Sequence, residues 1–340
     1  LIKQTIMKKI LLAAVAALAI VGCSQNEEIE KAGEKAEINV GTVVKTGTKA
    51  VVTDNGNFNA FTVKAYVVEE ANIATSGLGT VYMDADYTGG QSKWTTSSGT
   101  FYWPLDNTTQ KLKEMHFFAY PTTNPKMSYS DTNKGNPTLS FAVGATADEQ
   151  KDLVVAYAKV VDNIPSGNTL ALTFKHVLTR INFSYKPEKG GYTYTITEIK
   201  INDVSGGTAT YTYNAATPWS AGNNSNVTYE YPLIDNPVKE TDSDFYPLGK
   251  ADGALVLLPQ DVANKTITIT YTTADSNYTY FSGTKTVTLP AGAKWEAGKN
   301  IRYKLTLPLG AEEIKVSTQV EDVNEGGNEV TPDTPVTPAE

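Results

Sequence analysis

One cysteine, two histidines, four tryptophans and two arginines carry most of the distinctive chemistry available to this 340-residue chain. The cysteine is Cys23, directly behind Ile20-Val21-Gly22. Met7-Lys8-Lys9 supplies a charged start, Ile10 to Val21 an apolar run, and Gly22 a small residue before the cut. The run is about a dozen residues long, whereas a membrane-spanning helix needs about twenty. Residues 1–22 are therefore expected to be a signal peptide, with Met7 a better start than Leu1. A cysteine in that place is the pattern of a lipoprotein signal, in which the thiol is acylated and Cys23 becomes the new N-terminus. Each buried acyl methylene adds roughly 0.8 kcal/mol, so several chains hold firmly. No second cysteine exists, so neither a disulfide nor thiol chemistry supports the fold.

The remaining candidates for catalysis are sparse. His116 and His176 form no His-Glu-x-x-His pair. Each lies inside an apolar strand, where a satisfied core or edge imidazole is expected. The chain has no Gly-x-Ser-x-Gly elbow and no phosphate-binding Gly-x-x-x-x-Gly-Lys-Ser/Thr loop. Asp84-Ala-Asp86-Tyr-Thr-Gly89 echoes a calcium loop, but Thr95 stands where the twelfth-position carboxylate belongs, so a polar turn is expected. Two carboxylates could pair as in a glycosidase, yet nothing in the sequence selects two. The expectation is no enzyme, no cofactor and no metal. Trp94, Trp103, Trp219 and Trp295 could pack or stack on sugar rings. Trp103 sits in an apolar cluster. Trp219 lies in a polar Asn/Ser/Gly stretch and is the candidate for glycan contact, with packing as its competing use. The net charge of −8 and the scarcity of arginine give no basic stripe for nucleic acid.

These residues must be positioned by strands. Residues 23–37 are polar and acidic and are expected to form a flexible tether. From Ile38 the pattern changes: Ile38 and Val40 alternate, and Phe61 to Val68 is β-branched and aromatic. Glycine and serine clusters then punctuate the chain as turns. Leu153 to Val161 suits a strand buried on both faces. Asp162 to Asn168 is turn-forming and marks the expected boundary between an N-terminal unit, residues 38–167, and a C-terminal unit, residues 168–320. Leu170, Leu172 and Phe174 share one face of a strand; Ile181, Phe183 and Tyr185 share the opposite parity. One strand cannot hold both sets on one side, so a kink or bulge must fall between His176 and Arg180. Ile267, Ile269 and Tyr271, and Ile301, Tyr303, Leu305 and Leu307, predict half-buried strands. Residues 321–340 are acidic and rich in Pro and Thr, and are expected as a disordered tail. Short strands, frequent turns and no 3.6-residue period predict an all-β fold of two tandem β-sandwiches.

Five motifs in order carry a resemblance. Behind the lipoprotein signal come Phe101-Tyr-Trp-Pro104, Phe117-Phe-Ala-Tyr-Pro121, Leu172-Thr-Phe-Lys-His176-Val-Leu-Thr-Arg-Ile-Asn-Phe183, Leu257-Leu-Pro-Gln260 and Trp295-Glu-Ala-Gly298-Lys-Asn-Ile-Arg-Tyr303. Over nearly the whole mature chain this resembles the fimbrillin family of lipoproteins, the type V pilins and their relatives. The resemblance implies two transthyretin-like β-sandwiches, display on the cell outer membrane through the N-terminal lipid, and a role in adhesion or fimbrial assembly. Its implied partners are other fimbrial subunits or ligands on host or bacterial surfaces. The acidic tether resembles a surface-export signal, and equally a plain solvated linker. The resemblance also implies strand exchange: a protease removes the first strand, here Ile38, Val40 and Val44, and a neighbour's strand fills the groove. The chain departs from the family in two ways. Arginine stands only at Arg180 and Arg302, so maturation would have to use Lys45 or Lys49. The tail after Val320 offers no alternating strand to donate. Both departures point to an anchor, tip or accessory subunit, with a stand-alone glycan-binding surface lipoprotein as the alternative.

Overall fold

The computed structural model describes residues 36–44, 58–68, 73–90, 93–131, 134–234, 238–239, 244–249 and 253–323. The signal peptide, Cys23, Lys45, Lys49 and the tail beyond Val323 lie outside the described residues. Apart from one helical turn, Ile73–Ser76, and two short 3-10 turns, the regular structure among the described residues is strand.

The N-terminal unit is built on a seven-stranded sheet. Its strands are β1 (Asn39–Val44), β2 (Ala60–Val67), β3 (Val81–Gly90), β4 (Lys93–Thr96), β5 (Leu112–Tyr120), β8 (Val154–Asp162) and β9 (Thr169–His176), in the order β1-β9-β8-β5-β2-β3-β4. Two short strands, β6 (Met127–Ser130) and β7 (Thr138–Ala142), stand apart from it. Strand β3 shows the two-residue period directly: Met83, Ala85 and Tyr87 are buried, while Asp84 and Asp86 face water. Strand β5 is buried on both faces. Met115, Phe117 and Ala119 enter the core of this unit, and Phe118 and Tyr120 enter a second core behind the sheet. That is why Met115 to Tyr120 is apolar on both parities, interrupted only by His116.

The C-terminal unit is a sandwich of two sheets. One contains β10 (Thr179–Pro187), β15 (Tyr246–Pro247), β16 (Leu255–Leu257), β21 (Lys299–Leu307) and β22 (Lys315–Asp322), with β10 and β21 parallel. The other contains β11 (Thr193–Gly206), β13 (Asn224–Glu230), β14 (Val238–Lys239), β18 (Thr266–Ala274) and β19 (Thr279–Thr288), in the order β13-β11-β18-β19, with β14 also on β11. A small ladder, β17 (Gln260–Asp261) with β20 (Lys294–Trp295), closes one corner. Ile181, Phe183, Tyr185, Ile199, Ile201, Ile267, Ile269, Ile301, Tyr303 and Leu305 all point into one core. The alternation predicted for β18 and β21 is thus the inward face of a sandwich.

The two units share a third core. Strand β12 (Thr208–Thr212) leaves the C-terminal unit and pairs antiparallel with β7, which in turn pairs with β6. Tyr211 and Tyr213 then pack with Phe118, Tyr120, Leu139, Phe141, Val177, Leu178, Val256 and Leu258.

Three boundaries differ from those expected. Strand β9, Thr169–His176, is hydrogen-bonded to β8 and β1, so it belongs to the N-terminal sheet; the passage between units is Val177-Leu178, not Asn168. The opposite parities flanking that passage belong to two different sandwiches, which is why no single strand could satisfy both. Ala36 and Glu37, expected in the tether, are already paired: Glu37 bridges Tyr102, and Trp103 N donates to Ala36 O at 2.9 Å. Glu321 and Asp322, expected in the tail, continue β22, and Val323 is buried.

Candidate functional site

Residues 36–44 form one extended segment with two partners. At its start, Ile38 N donates to Phe101 O at 2.8 Å, and Trp103 N reaches back to Ala36. The segment then becomes β1 and runs parallel to β9 in the register Asn39↔Thr169 to Val44↔Phe174. It therefore lies at the edge of the seven-stranded sheet and is stitched to the strip Phe101–Trp103 as well. Ile38 and Val44 are buried in the N-terminal core, with Val40 packed against its rim. Leu170, Leu172 and Phe174 line the groove it occupies, together with Phe58, Phe61 and Trp103. The sequence places Phe101 to Pro104 in a strand-like motif, but nothing in it tells that this strip receives the first strand.

Three contacts fix the groove around it. Trp103 Nε1 donates to Asn168 O at 3.1 Å, tying the strip to the start of β9. Phe58 and Phe174 meet at 4.6 Å, and Phe61 meets Trp94 edge-on at 4.7 Å. An apolar slot walled by aromatic rings and bordered by strand β9 can hold an extended chain by backbone hydrogen bonds and alternate side-chain pockets.

The other predicted residues lie elsewhere. Trp219 is half-buried at the junction between the units. Its Nε1 donates to Val177 O at 2.6 Å, and its ring packs on Tyr211 and Phe141. Trp295 is buried, with Nε1 on the Tyr303 hydroxyl at 3.0 Å. His116 is buried between Glu114 Oε1 (2.8 Å) and the Tyr157 hydroxyl (3.0 Å). His176 pairs through Nδ1 with Asp152 Oδ2 at 2.8 Å. Both imidazoles are satisfied structural groups. The Glu114 carboxyl is held low, first by its bond to His116 and then by Lys159. Asp84 and Asp86 stand on a strand face, not in the expected turn; Asp84 pairs with Lys64, and Asp86 accepts from the Thr62 hydroxyl at 2.6 Å. Among the described residues no cluster of histidine, cysteine and carboxylates could hold a metal, and no helix is long and apolar enough to cross a membrane.

Of the two arginines, Arg180 is buried at the start of β10. Burial lowers its pKa, and the carboxylates of Asp152 and Glu321 oppose that shift. It thus sits between an acid of the N-terminal unit and one of β22. Beside it Asn300 Nδ2 donates to Glu321 Oε2 at 2.9 Å. Carboxylates from both sides of the junction thus act on the Arg180 guanidinium; the sequence named it within the Leu172–Phe183 motif and as one of the chain's two arginines.

The arrangement defines a class: a two-unit β-sandwich protein whose first described strand closes an apolar groove at a sheet edge, and whose histidines are buried and hydrogen-bonded. The chain belongs to the fimbrillin-like family, whose model matches residues 48–322. The fimbrium subunit Fim1C of Phocaeicola vulgatus is 30% identical over 206 residues, covering 53% of this chain and 52% of that protein. The chain thus spans about half the length of this curated relative. A crystal structure of a fimbrial protein from Bacteroides vulgatus aligns with a TM-score of 0.62 at 21% identity, covering 83% of this chain and 98% of that one. A solved structure from Bacteroides uniformis aligns at 0.50 and 18% identity, covering 85% and 98%. At these identities the structural likeness is one of fold.

Proposed function

We propose that the chain is a surface-displayed fimbrial subunit, an anchor, tip or accessory piece, that acts by contact and not by turnover. On this reading Cys23 carries the lipid that holds it to the outer membrane, and β1 is the strand exchanged with a neighbouring subunit. The observation that carries the reading is the seating of β1. Among the described residues it is an edge strand laddered to β9, yet it places Ile38 and Val44 in the core. Each buried aliphatic side chain contributes roughly 1.5–3 kcal/mol, so emptying the groove would expose several kcal/mol of apolar surface. It would also bare the edge of β9, and an open edge beside an apolar slot recruits another strand. Lys45 and Lys49 follow β1 closely in sequence, where a cut would release it.

The test removes residues Ile38–Val44. The shortened chain is expected to self-associate in light scattering, and a synthetic peptide spanning residues 36–44 should restore the monomer. A monomer of unchanged stability would refute strand exchange. Mass of the N-terminus on cells then assigns the role. An acylated Cys23 marks an anchor or free lipoprotein, and a start after Lys45 or Lys49 marks a polymerised subunit.

A further inference from the structure

The end of the C-terminal unit remote from the shared core is formed by the turn between β18 and β19, with Tyr192 beside it at the start of β11. The turn reads Asp275-Ser276-Asn277-Tyr278-Thr279-Tyr280. Tyr278 is 69% exposed and Tyr280 43%. Tyrosines pack in all three cores, so two open rings within three residues stand out from the rest of the fold.

The Tyr280 ring does not hang loose. The Tyr280 hydroxyl donates to Asp275 Oδ2 at 2.6 Å. Its ring meets Tyr192 edge to face, with centroids 5.1 Å apart and planes at 79°. Asp275 Oδ1 accepts the backbone N–H of Asn277 and of Tyr278, both at 2.8 Å, which fixes the turn that carries Tyr278. The charge state agrees with this geometry. The Asp275 carboxyl is held low, first by the Tyr280 hydroxyl and then by the two amides, and the Tyr280 phenol is pushed up to about 12. A surface ring already held in one place loses little freedom on binding.

We propose that Tyr278 and Tyr280, with the polar rim of Ser276, Asn277 and Thr279, form a binding site for a glycan that is not acidic. Area decides against a protein partner. A stable protein interface buries about 800 Å² on each side, whereas two aromatic residues that are only partly exposed supply less than about 150–250 Å² each. The other exposed large hydrophobics, Val161, Tyr246 and Val320, belong to other strands. Two rings suit one or two pyranose units. The C–H face of a pyranose meets the negative face of an aromatic ring, and its rim of hydroxyls meets amide, hydroxyl and carboxylate groups of the kind that surround these rings. Asp275 and the net charge of −8 disfavour a carboxylated or sulfated sugar. The site belongs to a sheet of the C-terminal unit, whereas β1 lies at the edge of the N-terminal sheet.

The experiment applies the full chain to an array of neutral, sialylated and sulfated oligosaccharides. Binding is expected to neutral pyranosides. The double variant Tyr278→Ala/Tyr280→Ala should weaken it by about fivefold or more at unchanged thermal stability, as the loss of two stacking contacts requires. Asp275→Ala, which frees Tyr280 without removing a ring, should weaken it less. Trp219→Phe should leave it unchanged, because that indole is engaged at the junction. The proposal is overturned if no neutral glycan binds, if acidic glycans bind best, or if the double variant binds like the parent. A loss confined to Trp219→Phe would move the sugar site to the junction and overturn it as well. None of these results bears on strand exchange at β1.

Discussion

Gln150 joins the two units through one side chain. Its Oε1 accepts the Val256 N–H at 2.6 Å, and its Nε2 reaches Gly144 O at 3.4 Å. Gly144 has to be glycine here, because a Cβ would lie 2.5 Å from the Glu149 carbonyl carbon. Replacing Gln150 with alanine leaves the buried Val256 N–H without its acceptor. We expect a loss of about 1–3 kcal/mol, read as a lower urea midpoint with an unchanged slope. An unchanged midpoint would mean that water replaces the side chain. At this scale the sequence was legible for some groups and silent for others. Two histidines inside apolar strands had to be satisfied, and each has its partner. A glutamine between Glu149 and Lys151 looks like any surface residue, since its partner lies 106 positions away. Trp219 was ambiguous for a related reason: its polar neighbours suggested exposure, but the acceptor of its N–H comes from the passage between units.

Strand β19 shows how an element can be kept from joining others. It ends the β13-β11-β18-β19 sheet, and its outer edge has no partner among the described residues. Its inward-facing side carries Lys285, whose ammonium lies 4.6 Å from the centre of the Phe281 ring and donates to the carbonyls of Gly310 (2.8 Å) and Glu312. A charge turned inward on an edge strand penalises a second strand that would cover it. Lys285→Ile should therefore self-associate with rising concentration, measured by light scattering, while Lys285→Arg stays monomeric. A monodisperse isoleucine variant would show that another feature protects the edge. The same comparison explains why strand existence was readable and strand destination was not. The alternation in β18 and β21 fixes their inward faces. It cannot say that β9 pairs backward with β1, or that β12 crosses to β7, because register between distant segments leaves no local periodicity.

The shared core makes the whole molecule more than two beads on a string. Tyr211 and Tyr213 are contributed by the C-terminal half of the chain and buried among side chains of the N-terminal half. The Tyr213 hydroxyl donates to Ala119 O at 2.9 Å across that boundary. The chain is therefore expected to unfold in one calorimetric transition, and residues 179–323 alone should be unstable or aggregate, with β12 unpaired. Two separated transitions would show that the junction contributes little. Composition and turn spacing predicted two sandwiches but not the third core, whose members come from stretches such as Leu139–Phe141 and Tyr211–Tyr213 that read as ordinary strands.

The parallel pairing of β1 with β9 has a mechanical side. The chain enters β1 at Asn39, and β9 leaves at His176 with only Val177 and Leu178 before β10. A pull on the leading end, resisted through β10, drags the two strands past each other along their length instead of peeling them apart. All six paired positions then carry the load together. A molecule tethered by its front end under flowing liquid would meet that drag with its strongest geometry, while a blade cutting behind β1 would remove the brace in a single stroke.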